Sequence, residues 1–302
     1  LSLKEDHCAT LIALVSLNPF LLLSASLLVL QLLSDELCAP LFGRPAIPTP
    51  EASPLLMLGS LWLVALVNTV ILGILVRRAQ FGGWKLAWTV VVISFGIGEL
   101  LNQVEALFFG QSVGVGPRHA FLFMTSGLLS RVLWAPLAVW GLGRWEQPPE
   151  SREPLPFPGW IRFLGLAFLA YPVIYFAFGA VASQAPALQD YYAEYFRSHS
   201  QAGLAALIAL QMARGLVWVG LGWLMLACES RVGWSAALLM AAVFSLLSTI
   251  VLVIPNPFMP GPVRWVHFWE VTSSNFLFGL LTTRILTSRR LWSYHKMAHA
   301  SS

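Results

Sequence analysis

One apolar run carries Gly98-Glu99-Leu100-Leu101-Asn102-Gln103-Val104-Glu105, which sets two carboxylates and two carboxamides close together. In a helix each three-residue step turns about 300°, so Glu99, Asn102 and Glu105 drift round roughly a third of the circumference. Ionisable groups in hydrocarbon cost about 2.5 kcal/mol or more each, so they face partners or water. The chemistry open to such a set is ion pairing, proton carrying or the binding of a polar ligand.

Other apolar runs add Arg131, Gln211, Arg214, and His267 three residues before Glu270. Two readings of the arginines compete. In the structural one, each pairs with Glu99 or Glu270 and ties helices together. In the functional one, a guanidinium is left to grip an anionic or carbonyl-bearing ligand with two parallel hydrogen bonds. Glu99, Glu105 and Glu270 outnumber the two arginines. One carboxyl is then left to take a proton, meet a histidine or sit in water.

The elements that position these groups are membrane spans. Hydrophobic residues make up 57% of the 302 and charged residues 11%, against about 25% charged in soluble domains. Eight runs are long enough to cross hydrocarbon: 8–33, 54–76, 86–109, 120–143, 161–183, 202–227, 234–254 and 265–287. The expected fold is all-α, a polytopic helical bundle of about eight transmembrane helices forming a single membrane domain. The first run is longer than a signal-peptide core and ends without a small-x-small site, so an uncleaved span is expected.

Alternating the spans puts Lys4, Arg77, Arg78, Lys85, Arg144, Arg152, Arg162, Arg231, Arg284, Arg289, Arg290 and Lys296 on one side. The other side holds Arg44, Arg118, Arg197 and Arg264. This asymmetry predicts a multi-pass protein of a bacterial inner membrane with both termini cytoplasmic. On that topology Glu99, Arg131 and Arg214 lie near the midplane, and Glu105, His267 and Glu270 nearer the outer surface. An outward-facing polar cavity would explain the distribution.

The connections carry weaker signals. Residues 34–53 read as a Pro-rich outer loop with Asp35, Glu36 and an outward-facing Cys38. Asp190-Tyr191-Tyr192 and Glu194-Tyr195-Phe196 read as an amphipathic outer segment, and 255–264 as non-helical because of its prolines. The charged, Pro-rich linker at about 144–160 divides the chain into two four-span halves, 1–147 and 148–302. Gly83-Trp84 before the third span and Gly233-Trp234 before the seventh suggest a parallel repeat. Asn18-Pro19, Pro136 and Tyr171-Pro172 mark places where a span could break and free a carbonyl.

Metal and enzyme readings are weaker. His267 and Glu270 with Glu99, Glu105 or His119 could be drawn as ligands, but a hydrogen-bonded histidine explains the HxxE pair more simply. HExxH does not occur, and Ser126, Ser130, Ser273 and Ser274 suit interhelical hydrogen bonds. No catalytic set, metal or cofactor is expected. The basic residues lie at span ends and form no groove with interleaved aromatics, so membrane lipid is the expected partner and nucleic acid is not.

Tyr171-Pro172-Val173-Ile174-Tyr175-Phe176-Ala177-Phe178-Gly179, Gln211-Met212-Ala213-Arg214-Gly215 and Arg264-Trp265-Val266-His267-Phe268-Trp269-Glu270 form a pattern that resembles uncharacterised bacterial polytopic membrane proteins. The resemblance covers the C-terminal half. It implies that Arg214, His267 and Glu270 belong to one group, and it brings no activity. The expected function is binding or passage of a small polar ligand, anionic ligand or ion. Glu99, Asn102, Gln103, Glu105, Arg131, Gln211, Arg214, His267 and Glu270 would line the site. A membrane scaffold or accessory subunit is the alternative, and a membrane-embedded enzyme the third.

Overall fold

Long apolar runs in hydrocarbon must satisfy their own backbone, and the helix does so within one segment. The computed structural model describes residues 2–42, 52–113, 116–146, 157, 159–191, 201–231, 233–256 and 259–300, the side chains of 2–17, 110–113, 201–202 and 289–300 excepted. Among these residues the regular structure is helical. The elements are α1 (Ser2–Phe42), α2 (Pro54–Arg78), α3 (Gly83–Phe95), α4 (Leu101–Val113), α5 (Pro117–Gly141), α6 (Trp160–Gly165), α7 (Tyr171–Ala182), α8 (Gln201–Cys228), α9 (Trp234–Thr249) and α10 (Gly261–Ala300). Two π-helical turns, Gly96–Leu100 and Leu166–Ala170, join α3 to α4 and α6 to α7. A 3₁₀ turn, Ile250–Val253, ends α9.

Local sequence accounts for several boundaries. Ser53 caps α2 by accepting from the Leu56 N–H at 3.3 Å, and Pro54 opens the helix where its missing donor costs nothing. Gly83 and Gly233 enter α3 and α9 with φ of 61° and 77°, a region that favours glycine. Pro172 has no N–H to give the preceding turn, and the chain widens there into the second π turn.

Seven helices are long and apolar enough to cross a membrane: Asn18–Phe42, Pro54–Arg78, Gly83–Phe109, Pro117–Gly141, Trp160–Ala182, Gly203–Cys228 and Trp234–Val253. The eighth expected span lies in α10 and falls short, because His267, Glu270 and Asn275 dilute its apolar content. It nevertheless runs antiparallel along the whole of α9. Thr272 Oγ1 meets Thr249 Oγ1 at 2.9 Å, and Asn275 donates to Ser248 Oγ at 3.0 Å. A Cβ on Gly279 would stand 2.7 Å from Ala241 Cα, and the Arg284 guanidinium lies 3.6 Å over the Trp234 ring. Residues 272–284 therefore accompany α9 through its full depth.

The first span sits further along the chain than 8–33. The Arg77 guanidinium lies 4.5 Å over the Phe20 ring, which places residue 20 beside the basic end of α2. Helix α1 then continues to Phe42, so Asp35, Glu36 and Cys38 are helical and not in a loop, and Cys38 is buried among the helices. The outer connection at 43–51, the Tyr192 to Arg197 part of the amphipathic stretch, linker residues 147–156 and Pro257-Phe258 lie outside the described residues.

Polarity is arranged inside out relative to a soluble domain. Ile161 is 90% exposed and Leu55 81%, whereas Arg131 and Arg214 are each 5% exposed and Gln211 is fully buried. An apolar outer surface around polar contacts is the pattern hydrocarbon demands. The buried apolar centre is aromatic: Trp218 and Phe244 rings stand 4.7 Å apart, and Tyr171 meets Phe278 at 5.1 Å.

At the basic end, the turns after α2 and α8 join as a short antiparallel bridge between Ala79 and Glu229. Gln80 N–H donates to the Cys228 carbonyl at 2.8 Å, and Ser230 N–H to the Arg78 carbonyl at 2.9 Å. The two bonds interchange under a shift of 150 positions (229 − 79), the same shift that relates Gly83 to Gly233 (233 − 83). Across the bundle, α9 packs on α2 and on the first π turn, while α3 packs on α8.

Candidate functional site

The polar interior divides into three centres arranged around the first π turn and α4. The tightest joins α4, α7 and α8. Arg214 Nη2 lies 2.8 Å from Glu105 Oε2, and Arg214 Nη1 donates to Gln211 Oε1 at 2.8 Å. The Tyr175 hydroxyl donates to the other Glu105 oxygen, Oε1, at 3.0 Å. Arg214 also lies 6.0 Å from the Tyr171 ring centroid. Gly215, next to Arg214, lets α8 close onto the Ala167 carbonyl in the second π turn. Proline, π turn and glycine together bring Tyr171, Tyr175 and Arg214 to one place.

The second centre joins α1, the first π turn and α5. Arg131 Nη2 stands 3.6 Å from Glu99 Oε1, beyond the range of a good hydrogen bond. Arg131 Nε and Nη1 are buried and have no acceptor among the described residues. Gln31 Nε2 donates to Asp35 Oδ1 at 3.1 Å, and Ser130 Oγ donates to Gln31 Oε1 at 2.8 Å. Asp35 is also hydrogen-bonded to Ser126, and its charge is felt at Glu99. Glu99 faces the guanidinium, and Asp35 joins the same centre through Gln31 and Ser130 without touching Arg131. Gly127 makes the notch that Glu99 fills, since a Cβ there would lie 2.6 Å from Glu99 Cγ.

The third centre lies along α9 and α10. Asn102 Nδ2 donates to the Gly98 carbonyl at 3.0 Å and across to the Ser248 carbonyl at 2.9 Å. Asn275 reaches Ser248 from the other side, and His267 Nδ1 meets Glu270 Oε2 at 2.9 Å. Glu270 faces Gly179 on α7, where a Cβ would sit 3.4 Å from its Oε1. Gln103 is half-buried on α4.

The roughly one-third arc over which Glu99, Asn102 and Glu105 spread sends each to a different neighbour: Glu99 to α5, Asn102 to α9, Glu105 to α7 and α8. Arg131 pairs with Glu99, one of the two partners expected of it. Arg214 departs from expectation, because its partner is Glu105. His267 meets Glu270, and α7 runs past both carboxylates, with Tyr175 bonded to Glu105 and Gly179 beside Glu270.

Sequence reasoning overlooked Gln31, Asp35, Tyr171 and Tyr175. Asp35 and Gln31 are four residues apart on one helical face, a spacing that was available as a signal. Tyr175 follows Tyr171 by the same interval. Among the described residues no three His, Cys, Asp or Glu side chains are grouped so as to hold a metal ion. The arrangement is one of buried ion pairs with surplus donors and acceptors.

No family model, curated protein or solved structure matches the chain.

Proposed function

We propose that this integral membrane protein binds or passes a small polar ligand or ion at the centre formed by Asp35, Glu99 and Arg131. The observation that carries the reading is the state of Arg131. Its guanidinium is buried, two of its nitrogens lack acceptors among the described residues, and its carboxylate partner stands off at 3.6 Å. A buried donor without a partner costs roughly 1–3 kcal/mol, more when charged, and a ligand oxygen would recover that cost. Arg214 contrasts with it, since two of its three nitrogens are engaged at 2.8 Å and only Nε lacks an acceptor. That pair acts as the lock that holds α4, α7 and α8 together.

The same reading takes 1–147 and 148–302 as two four-helix copies of one unit and sets the basic end in the cytoplasm. The two bridge hydrogen bonds related by 150 positions support the first statement, and the Lys and Arg asymmetry supports the second. A scaffold role is the second reading, favoured by the closed Glu105–Arg214–Tyr175 network.

Thermal unfolding of the purified protein against a panel of small ions and polar solutes separates the two. Binding confined to the native state raises Tm, by an amount equivalent to about 2.7 kcal/mol at one hundred times Kd. A solute that stabilises the wild type and not a folded Arg131→Ala supports a ligand site at Arg131. A panel without effect on the wild type gives the scaffold reading the lead.

A further inference from the structure

The Arg131 centre pairs one guanidinium with Glu99 and holds a second carboxyl, Asp35, behind Gln31 and Ser130, which constrains its occupant. With Asp35 and Glu99 both ionised the centre already carries a net negative charge. Its other neighbours do not relieve this. The polar side chains of α9, Ser245, Ser248 and Thr249, are neutral; on α8 Arg214 is held by Glu105; on α1 Glu36 is exposed and Cys38 is a buried thiol one turn beyond Asp35. Yet the unfilled groups, Arg131 Nε and Nη1, are donors, and a guanidinium with free donors selects an oxyanion. An anion entering a low-dielectric site beside two carboxylates is tolerated only if a positive charge enters with it.

Resting on the function proposed above, we infer that Arg131 seats a small soluble oxyanion, a carboxylate or a phosphate, and that this anion displaces Glu99 from the guanidinium as Glu99 takes up one proton. No covalent bond changes except the O–H formed at Glu99. The anion and one proton enter, and the charge of the centre is unaltered. Glu99 is the acceptor because its only cation is the one the anion takes, whereas Asp35 keeps its hydrogen bonds from Gln31 and Ser126. Depth excludes a lipid headgroup. Glu99 is 16 residues from Gly83 (99 − 83) and 10 from Phe109 (109 − 99), the ends of its span, about 24 Å and about 15 Å at a rise of about 1.5 Å per residue, so it lies inside the hydrocarbon from either face.

The test is calorimetric titration of the intact protein in phosphatidylcholine nanodiscs with acetate and with inorganic phosphate, each in two buffers of different ionisation enthalpy. The difference between buffers counts protons. The expected result is binding of at least one of the anions with uptake of about one proton, weakening as pH rises, and loss of binding in Arg131→Gln. Glu99→Gln, which carries the amide in place of the protonated acid, should bind the same anion about tenfold tighter with no proton uptake. Asp35→Asn should retain the uptake. The Glu99→Gln result stands even if Arg131→Gln fails to fold.

Anion binding by the wild type without proton uptake, or binding unchanged in Arg131→Gln, overturns the inference. So does heat that requires anionic lipid. A response to sodium, potassium, magnesium or a neutral sugar in place of either anion also overturns it while leaving a ligand site standing. Silence from every probe overturns both the inference and the function on which it rests.

Discussion

Arg214 on α8 meets Glu105 on α4 at 2.8 Å, and the carboxylate's second oxygen takes the Tyr175 hydroxyl from α7. Removing one member of a buried pair leaves the other charge stranded, at a cost of about 3–5 kcal/mol. Arg214→Ala is therefore expected to lower Tm sharply. An Arg214→Leu, Glu105→Leu double variant should cost less than the two single changes added together. Thermal unfolding in detergent of the three variants measures the coupling.

Close helix approach at Gly215 gives a prediction with an internal control. A methyl there meets the Ala167 carbonyl oxygen, part of the backbone, whereas nothing lies within 4 Å of a methyl at Gly220 on the same helix. Gly215→Ala should destabilise despite the helical preference for alanine. Gly220→Ala should be neutral or gain up to about 1 kcal/mol. Equal effects at both positions would contradict the packing of α8 on the second π turn.

Asn102 spends its amide on two carbonyls, one of them across the helix interface at Ser248. Interhelical hydrogen bonds in membranes average about 0.6 kcal/mol and reach about 1.7. Asn102→Leu should fall in that range, well below the loss at Arg214. A loss of several kcal/mol would mean that Asn102 supports more than this contact.

Sidedness can be read with cysteines. Asp190 and Arg231 are exposed at opposite ends of the bundle. In a cysteine-free background, Asp190→Cys should react with a membrane-impermeant maleimide on intact cells, and Arg231→Cys only after lysis. The reverse pattern would invert the proposed topology.

Most spans were legible because some 20 consecutive apolar residues have few other uses. The first and last spans show where that logic fails. Asp35 and Glu36 look like loop residues, and only the packed structure reveals that Asp35 turns toward Gln31 and Ser126 while Glu36 points away. In α10 the polar residues that serve the interior also lower the hydropathy by which a span is recognised. Arg214's preference for Glu105 was illegible for another reason. Depth and helical phase give the level and direction of a side chain, but the neighbour it meets depends on bundle order, and Pro172, the π turn and Gly215 set that order locally.

The bridge between Ala79 and Glu229 bears on mechanics. Its two hydrogen bonds belong to the backbone, so they persist whatever the protonation of side chains deeper in the bundle. Rocking of the two helix sets against each other would pivot near Gln80 and Ser230, with a lever arm that lengthens toward the opposite end. A tilt of about 5° moves a group about 37 Å from that pivot, roughly the distance along the axis to Glu105, by about 3 Å. That travel would be enough to part Glu105 from Arg214 while leaving the fulcrum intact.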